Sequence, residues 1–181
     1  MAFDIATSTG VAFGLAGKTP RATTIDLGKR GKSEAARFAK AMQVTRHLLE
    51  KYEPDHVFYE AAIGGPKASA FLIGLAACVT GTVADMGIPV REARIQSVRK
   101  HFLGKHLVAK DFPGLDARAA RDAIKQRVIG RCNQLGWRPR SDDEADALAI
   151  WDFGCATLRA AQSVPTGGLF GAEHFTERAG K

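Results

Sequence analysis

Four acidic side chains stand where carboxylates could converge. Asp4 follows a first short run of strand-forming residues, Glu60 closes a second at His56–Tyr59, and Asp143 and Asp146 lie three apart, a spacing that puts both on one face of a helix. Each also has an ordinary explanation. Ser141-Asp142-Asp143-Glu144 reads as a capping box with Ser141 at the N-cap, and acids in a first turn are favoured by the helix dipole. Glu60 alone could be a surface acid. Gathered into a small volume, however, the four would repel one another unless cations sat among them. Hard oxygen ligands of this kind suit Mg²⁺, with Mn²⁺ able to substitute. Two such ions roughly 4 Å apart would stabilise the attacking and leaving oxygens of an in-line phosphodiester displacement.

Charge along the chain is consistent with a phosphate-bearing partner. The 181 residues carry a net charge of +7, but the excess is local. Residues 91–140 hold 13 basic and 4 acidic side chains, whereas 141–181 hold 3 and 7. A basic block thus abuts an acidic one, which reads either as a solvated surface or as a polyanion-binding face. With 45% hydrophobic and 25% charged residues, the composition excludes a disordered or collagen-like chain and fits one globular domain. Cys78, Cys132 and Cys155 are odd in number and widely spaced, the pattern of reduced thiols in a cytoplasmic protein. No secretory signal or membrane span is visible, because the longest uncharged stretch, 68–84, falls short of the ~20 residues a span needs. It reads as a buried helix.

The elements that would position the acids follow from periodicity. Met1–Phe3, Val11–Leu15 and Ala22–Leu27 read as strands of a meander. From Ser33 the recurrence of Phe38, Met42, Thr45, Leu48, Leu49 and Tyr52 predicts an amphipathic helix, ended by Glu53-Pro54-Asp55. The strand His56–Tyr59, a helix at 68–86, the strand Pro89–Ala93 and a helix at Ile95–Phe102 come next. Gly104–Asp116 reads as a mobile connection, before a basic helix at Ala117–Leu135 and a last helix from Asp142 to about Ala161. This order predicts an α/β domain over 1–161, a mixed five-stranded sheet with helices on both faces. Residues 162–181 are expected to form a flexible tail, in which Gly168-Leu169-Phe170 could be a short docking peptide. His101 and His106 read as surface residues, and Trp137 and Trp151 as core or interface anchors.

Four stretches carry a resemblance: FDIATSTGVAFG at 3–14, VFYEAAI at 57–63, ASAFLIGLAA at 68–77 and DEADALAIW at 143–151. They resemble the RuvC family of Holliday-junction resolvases, within the RNase H-like superfamily, over about residues 2–160. The most specific element is D-x-x-D-A-L-A on Asp143, Asp146, Ala147, Leu148 and Ala149. The resemblance implies an RNase H-like fold, with Asp4, Glu60, Asp143 and Asp146 as catalytic metal ligands and Asp4 bridging two Mg²⁺ ions. It further implies a homodimer that cleaves four-way junctions or other branched DNA, nicking two strands related by two-fold symmetry. Lys125, in a K-x-x-V with Val128, takes the place of a basic DNA-binding position, and Arg99 or Lys100 the place of another.

The chain departs from the family at several points. Ile5-Ala6 follows Asp4 where the family usually has Pro-Gly, and the turn to Thr9-Gly10 is one residue shorter, so the loop is expected to hold its strand differently. Ile63 stands three residues beyond the motif glutamate, where an aromatic commonly stacks at the junction; an aliphatic wedge is expected there. Residues 106–122 read as an insertion. Only three residues precede Asp4, fewer than the ~5–6 of an average strand, so the natural start is expected upstream. Together these features point to a divergent, phage-type member. Two other functions fit the same residues. An RNA-processing nuclease of the YqgF-like group is disfavoured by the D-x-x-D-A-L-A helix. A non-catalytic branched-DNA-binding module is disfavoured by the retention of all four acids.

Overall fold

The computed structural model describes residues 1–28, 33–60 and 69–163. Its strands are β1 (Ala2–Asp4), β2 (Ser8–Phe13), β3 (Arg21–Asp26), β4 (Val57–Glu60) and β5 (Val90–Ala93). The helices are α1 (Glu34–Tyr52), α2 (Ala70–Asp85), α3 (Ile95–Leu103), α4 (Ala117–Gln134) and α5 (Asp142–Ser163). The five strands form one sheet in the order β3-β2-β1-β4-β5. β1, β2 and β3 pair antiparallel, while β1–β4 and β4–β5 are parallel. A mixed sheet covered on both faces is the expected architecture.

Strand alternation divides the interior into two cores. Phe3, Val11 and Val57 face one way and pack with Ala41, Leu48 and Leu49 of α1 and Leu75, Val79 and Val83 of α2. Ala2, Ala12 and Phe58 face the other way, against Val98 and Phe102 of α3, Val128 and Cys132 of α4, and Ala147 and Ile150 of α5. Trp151 is buried in this second core and meets Trp137 edge-on at 6.0 Å, so both tryptophans are core anchors. α5 lies over all five strands, which its small residues permit. At Gly154 a β-carbon would stand 2.6 Å from the Phe58 ring.

Several boundaries differ from the pattern-based reading. β2 begins at Ser8 rather than Val11, so Thr9 and Gly10 lie in a strand and not in a turn; pairing of Ser8 with Asp26 sets that start. The turn that lacks Pro-Gly is tied by Thr9, whose hydroxyl donates to the Ala6 carbonyl at 2.7 Å. In α1 the buried positions are Arg37, Ala41, Thr45, Leu48 and Leu49. Met42 is exposed, one step off the stripe. α2 is not buried all round, because it is an outer layer over the sheet: Leu75, Val79, Thr82 and Val83 face inward, while Leu72 and Ile73 remain 37% and 48% exposed. The connection after α3, expected as mobile, holds local structure. Gly104 ends α3 with φ of 80°, Leu107 is buried, and a 3₁₀ turn spans Ala109–Asp111. α5 continues to Ser163, and the Leu169-Phe170 stretch lies outside the described residues. Among the described residues no helix is long and apolar enough to cross a membrane.

Candidate active site

Parity and register bring the first two acids together. Asp4 is two residues beyond Ala2, and Glu60 two beyond Phe58, so both point to the α5 face. Ala2 pairs with Phe58 and Phe3 with Tyr59 in the parallel ladder, so Asp4 and Glu60 come next, side by side at the carboxyl ends of adjacent strands. A topology that places two parallel strand ends together commonly forms a binding crevice there.

The second pair arrives with the first turn of α5. The Ser141 hydroxyl accepts the Glu144 N–H at 3.1 Å, as a capping box requires. Glu144 reaches one residue further back than the motif predicts. Its carboxylate accepts the Arg140 N–H at 2.7 Å and pairs with the Arg140 guanidinium at 2.8 Å. That leaves Glu144 buried and structural, with Asp143 and Asp146 turned toward the sheet. The Ser8 hydroxyl donates to the Asp143 carboxylate at 2.6 Å, and Ser141 meets Thr24 at 2.9 Å. Gly10 allows the approach, because a β-carbon there would overlap the Asp143 carbonyl and stand 3.2 Å from the Ala147 β-carbon. Ser8, Gly10 and Ala12 alternate on the α5 face. That small or polar series was the sequence signal for Ser8 and Gly10 as site-forming residues, hidden when β2 is begun at Val11.

Electrostatics shows the acids to share one neighbourhood. Burial, then repulsion from Asp146, Glu60 and Asp143, holds the Asp4 carboxyl well above the usual carboxylate range. Burial and Asp146 push Glu60 up to about 7, against the opposing pull of Arg99. Asp146 is pushed up to about 6, chiefly by burial, with Arg99 and Lys125 opposing. Lys125 itself pairs with Asp142, and this hydrogen bond raises its ammonium pKa. Of the two basic positions on α3, Arg99 is therefore the one that acts on the carboxylates, while Lys100 is exposed one step further round the helix. Ile63 lies outside the described residues.

The donor set fits hard divalent cations in chemistry: all oxygen, partly buried, and with charge that Arg99 and Lys125 offset only in part. Among the described residues no hydrogen bond contributes to the titration of Asp4, Glu60 or Asp146. The side chains are neighbours without being closed on a point. Among the described residues no three His, Cys, Asp or Glu side chains form a group that could hold a metal ion.

The same fold recurs in solved structures. RuvC of Thermus thermophilus superposes with a TM-score of 0.65 at 17% identity, over 88% of this chain and 94% of that one. The fold is RuvC-like. T. thermophilus RuvC in complex with Holliday junction substrate gives a TM-score of 0.63, at 17% identity over 88% and 92%. The yeast mitochondrial Holliday junction resolvase Ydc2 gives 0.54, at 11% identity over 89% and 81%. No protein-family model and no curated protein matches the chain in sequence. This is thus a divergent version of the RuvC-like fold, carrying four acids at the edge of its α5 core.

The raised carboxylates have a consequence for stability. A carboxyl with a folded pKa above its unfolded value binds its proton more tightly when folded. The stability it contributes is present below the unfolded value, near 4, and is lost as pH rises through the folded value. With Glu60 near about 7 and Asp146 near about 6, protein kept in EDTA is expected to lose thermal stability between about pH 5 and about pH 8. If Mg²⁺ binds among these carboxylates, saturating Mg²⁺ restores it by binding the folded state. Thermal melts at both pH values, with EDTA or Mg²⁺, check this; a midpoint that rises with pH in EDTA contradicts it.

Proposed function

We propose that this chain is a metal-dependent endonuclease that cleaves four-way junctions or other branched DNA. The observation that carries the reading is the meeting of Asp4, Glu60, Asp143 and Asp146 on one face of a RuvC-like sheet, with Arg99 and Lys125 beside them. Two Mg²⁺ ions held by these acids, or Mn²⁺ in their place, would supply Lewis-acid stabilisation of the charge that develops on a phosphodiester.

The chain's own groups orient that chemistry. β1 and β4 present Asp4 and Glu60 from rigid strand ends, and Ser8 holds Asp143 in one orientation. Lys125 and Arg99 flank the acids and are suited to hold phosphate oxygens on the substrate side. Lys125 is partly exposed in its pair with Asp142. An exposed pair of this kind contributes only about 0–1 kcal/mol, so Lys125 can exchange Asp142 for a phosphate at little cost. A homodimer belongs to the same proposal. α2 is apolar around its circumference and leaves Leu72 and Ile73 uncovered, a face that a second copy could bury.

The test presents purified protein with labelled four-way junction, flap, linear duplex, single-stranded DNA and structured RNA, with Mg²⁺ or EDTA. Cutting of the junction or flap in Mg²⁺, and none in EDTA, is the expected result. Preference for RNA would favour the RNA-processing reading, and absence of any Mg²⁺-dependent cutting would overturn the enzyme.

A further inference from the structure

A second basic feature lies away from the acids. The end of α3, the 104–116 connection and one flank of α4 enclose an open groove of about 880 Å³, lined by Lys105, Arg127 and Arg131. Among the described residues Asp111 is the one acid in its lining, and its carboxylate already accepts the Val108 N–H at 2.8 Å. Among the described residues none of the three cations forms an ion pair. The Arg131 guanidinium donates to the Gln134 side-chain carbonyl, at 3.5 Å. All three are exposed.

The position of the groove on α4 follows from helical periodicity. Ile124, Val128 and Cys132 form the buried stripe. Lys125 falls on one flank of that stripe, toward the acids, and Arg127 and Arg131 on the other. The two flanks are separated by about a helix diameter, roughly 10 Å with side chains. Arg127 and Arg131 stand one turn apart, in a row rather than around a point. A row of unpaired guanidiniums fits successive phosphates of a strand better than it fits one small anion.

We propose that this groove holds the phosphate backbone of a second arm of branched DNA, distinct from the arm cut at the carboxylates. The inference rests on the nuclease reading for its substrate. Arms leave a branch point in different directions, so a junction can occupy both flanks of α4 at once. A linear duplex seated at the acids extends along one path only and leaves the groove empty. The groove thereby contributes selectivity for branches.

The test measures binding of four-way junction and of linear duplex in EDTA, by anisotropy over a salt series, for the parent, Arg127→Gln/Arg131→Gln and Arg127→Lys/Arg131→Lys. Because both positions are exposed, unchanged melting is expected and is checked first. Losing two phosphate contacts should weaken junction binding about tenfold near 0.1 M salt and flatten its log–log salt slope by about 1.8 per chain. Duplex binding should change less than about threefold, and the lysine pair should restore most of the junction slope. Equal losses on junction and duplex, or no loss on either, would overturn the second-arm site. Since binding in EDTA is read apart from cleavage, a parent that binds junctions without cutting them in Mg²⁺ would sink the nuclease reading and leave the groove to be judged on its salt slope. A parent that binds no DNA would overturn both.

Discussion

Asp146→Asn is expected to lower Mg²⁺-dependent junction cleavage by about a thousandfold, the upper end of what losing one preorganised charge-stabilising group costs. Junction binding in EDTA should hold or improve. Asp146 is the acid whose charge reaches furthest in this site: it repels Asp4 and Glu60, and even contributes to the elevation of the buried Cys132 thiol, pushed up to about 12 mainly by desolvation. Asparagine keeps the shape and one oxygen but removes the charge. Two effects then separate. Fewer negative charges remain to attract divalent cations, so cleavage falls. The repulsion on Asp4 and Glu60 also weakens, so the protein in EDTA near neutral pH should melt no lower than the parent. A variant at least as stable as the parent and far less active cannot be explained by misfolding. Asp142→Asn is the matched comparison, because Asp142 pairs with Lys125 and is assigned no role in holding cations; it should retain cleavage within about tenfold. If Asp146→Asn cuts as fast as the parent, the acids are not the reactive centre.

Gly10→Ala should have the next largest effect, although it alters no polar group. The added methyl would occupy the space of the Asp143 carbonyl, and neither partner is the free end of a flexible side chain. Either the first turn of α5 withdraws from β2 or β2 bends away. Both movements carry Asp143 and Asp146 off their positions relative to Asp4 and Glu60. A displacement near 1 Å at a reacting centre costs about a hundredfold in rate, and forced overpacking costs about 1–3 kcal/mol of stability. The expected outcome is cleavage reduced about a hundredfold, with a melting midpoint lower by a few degrees, since each kcal/mol is worth ~2–4 °C in a chain of this size. Cleavage kinetics and thermal melts of the same preparation check both parts. Parental activity and melting would mean that this close approach does not set the seating of α5.

Much of the site was legible because its signals are local. The capping box at Ser141, the three-residue spacing of Asp143 and Asp146, and the short runs ending at Asp4 and Glu60 are properties of adjacent residues. Helix boundaries followed from the same kind of signal, and α3 and α4 fall within a residue of their expected ends. What misled was also local. An apolar helix such as α2 has no polar stripe to reveal that one side remains uncovered, and Thr9-Gly10 has the composition of a turn while being paired strand. Between Arg99 and Lys100, adjacent residue types could not say which one faces the acids.

By itself the sequence determined the inventory: four carboxylates at element ends, a basic stretch before them, and helices and strands in an order that makes a two-faced mixed sheet. Only the tertiary structure decided that Asp4 and Glu60 are neighbours, because strand parity acts over two residues whereas the parallel pairing of β1 with β4 joins distant parts of the chain. It also decided that α5 closes onto β2 at a glycine, and that α4 presents Lys125 to the acids on one flank and Arg127 and Arg131 to a separate groove on the other. The basic stretch at 91–140 is one feature along the chain; α4 divides it in space, since its buried stripe separates the cations of one helix by about its own diameter.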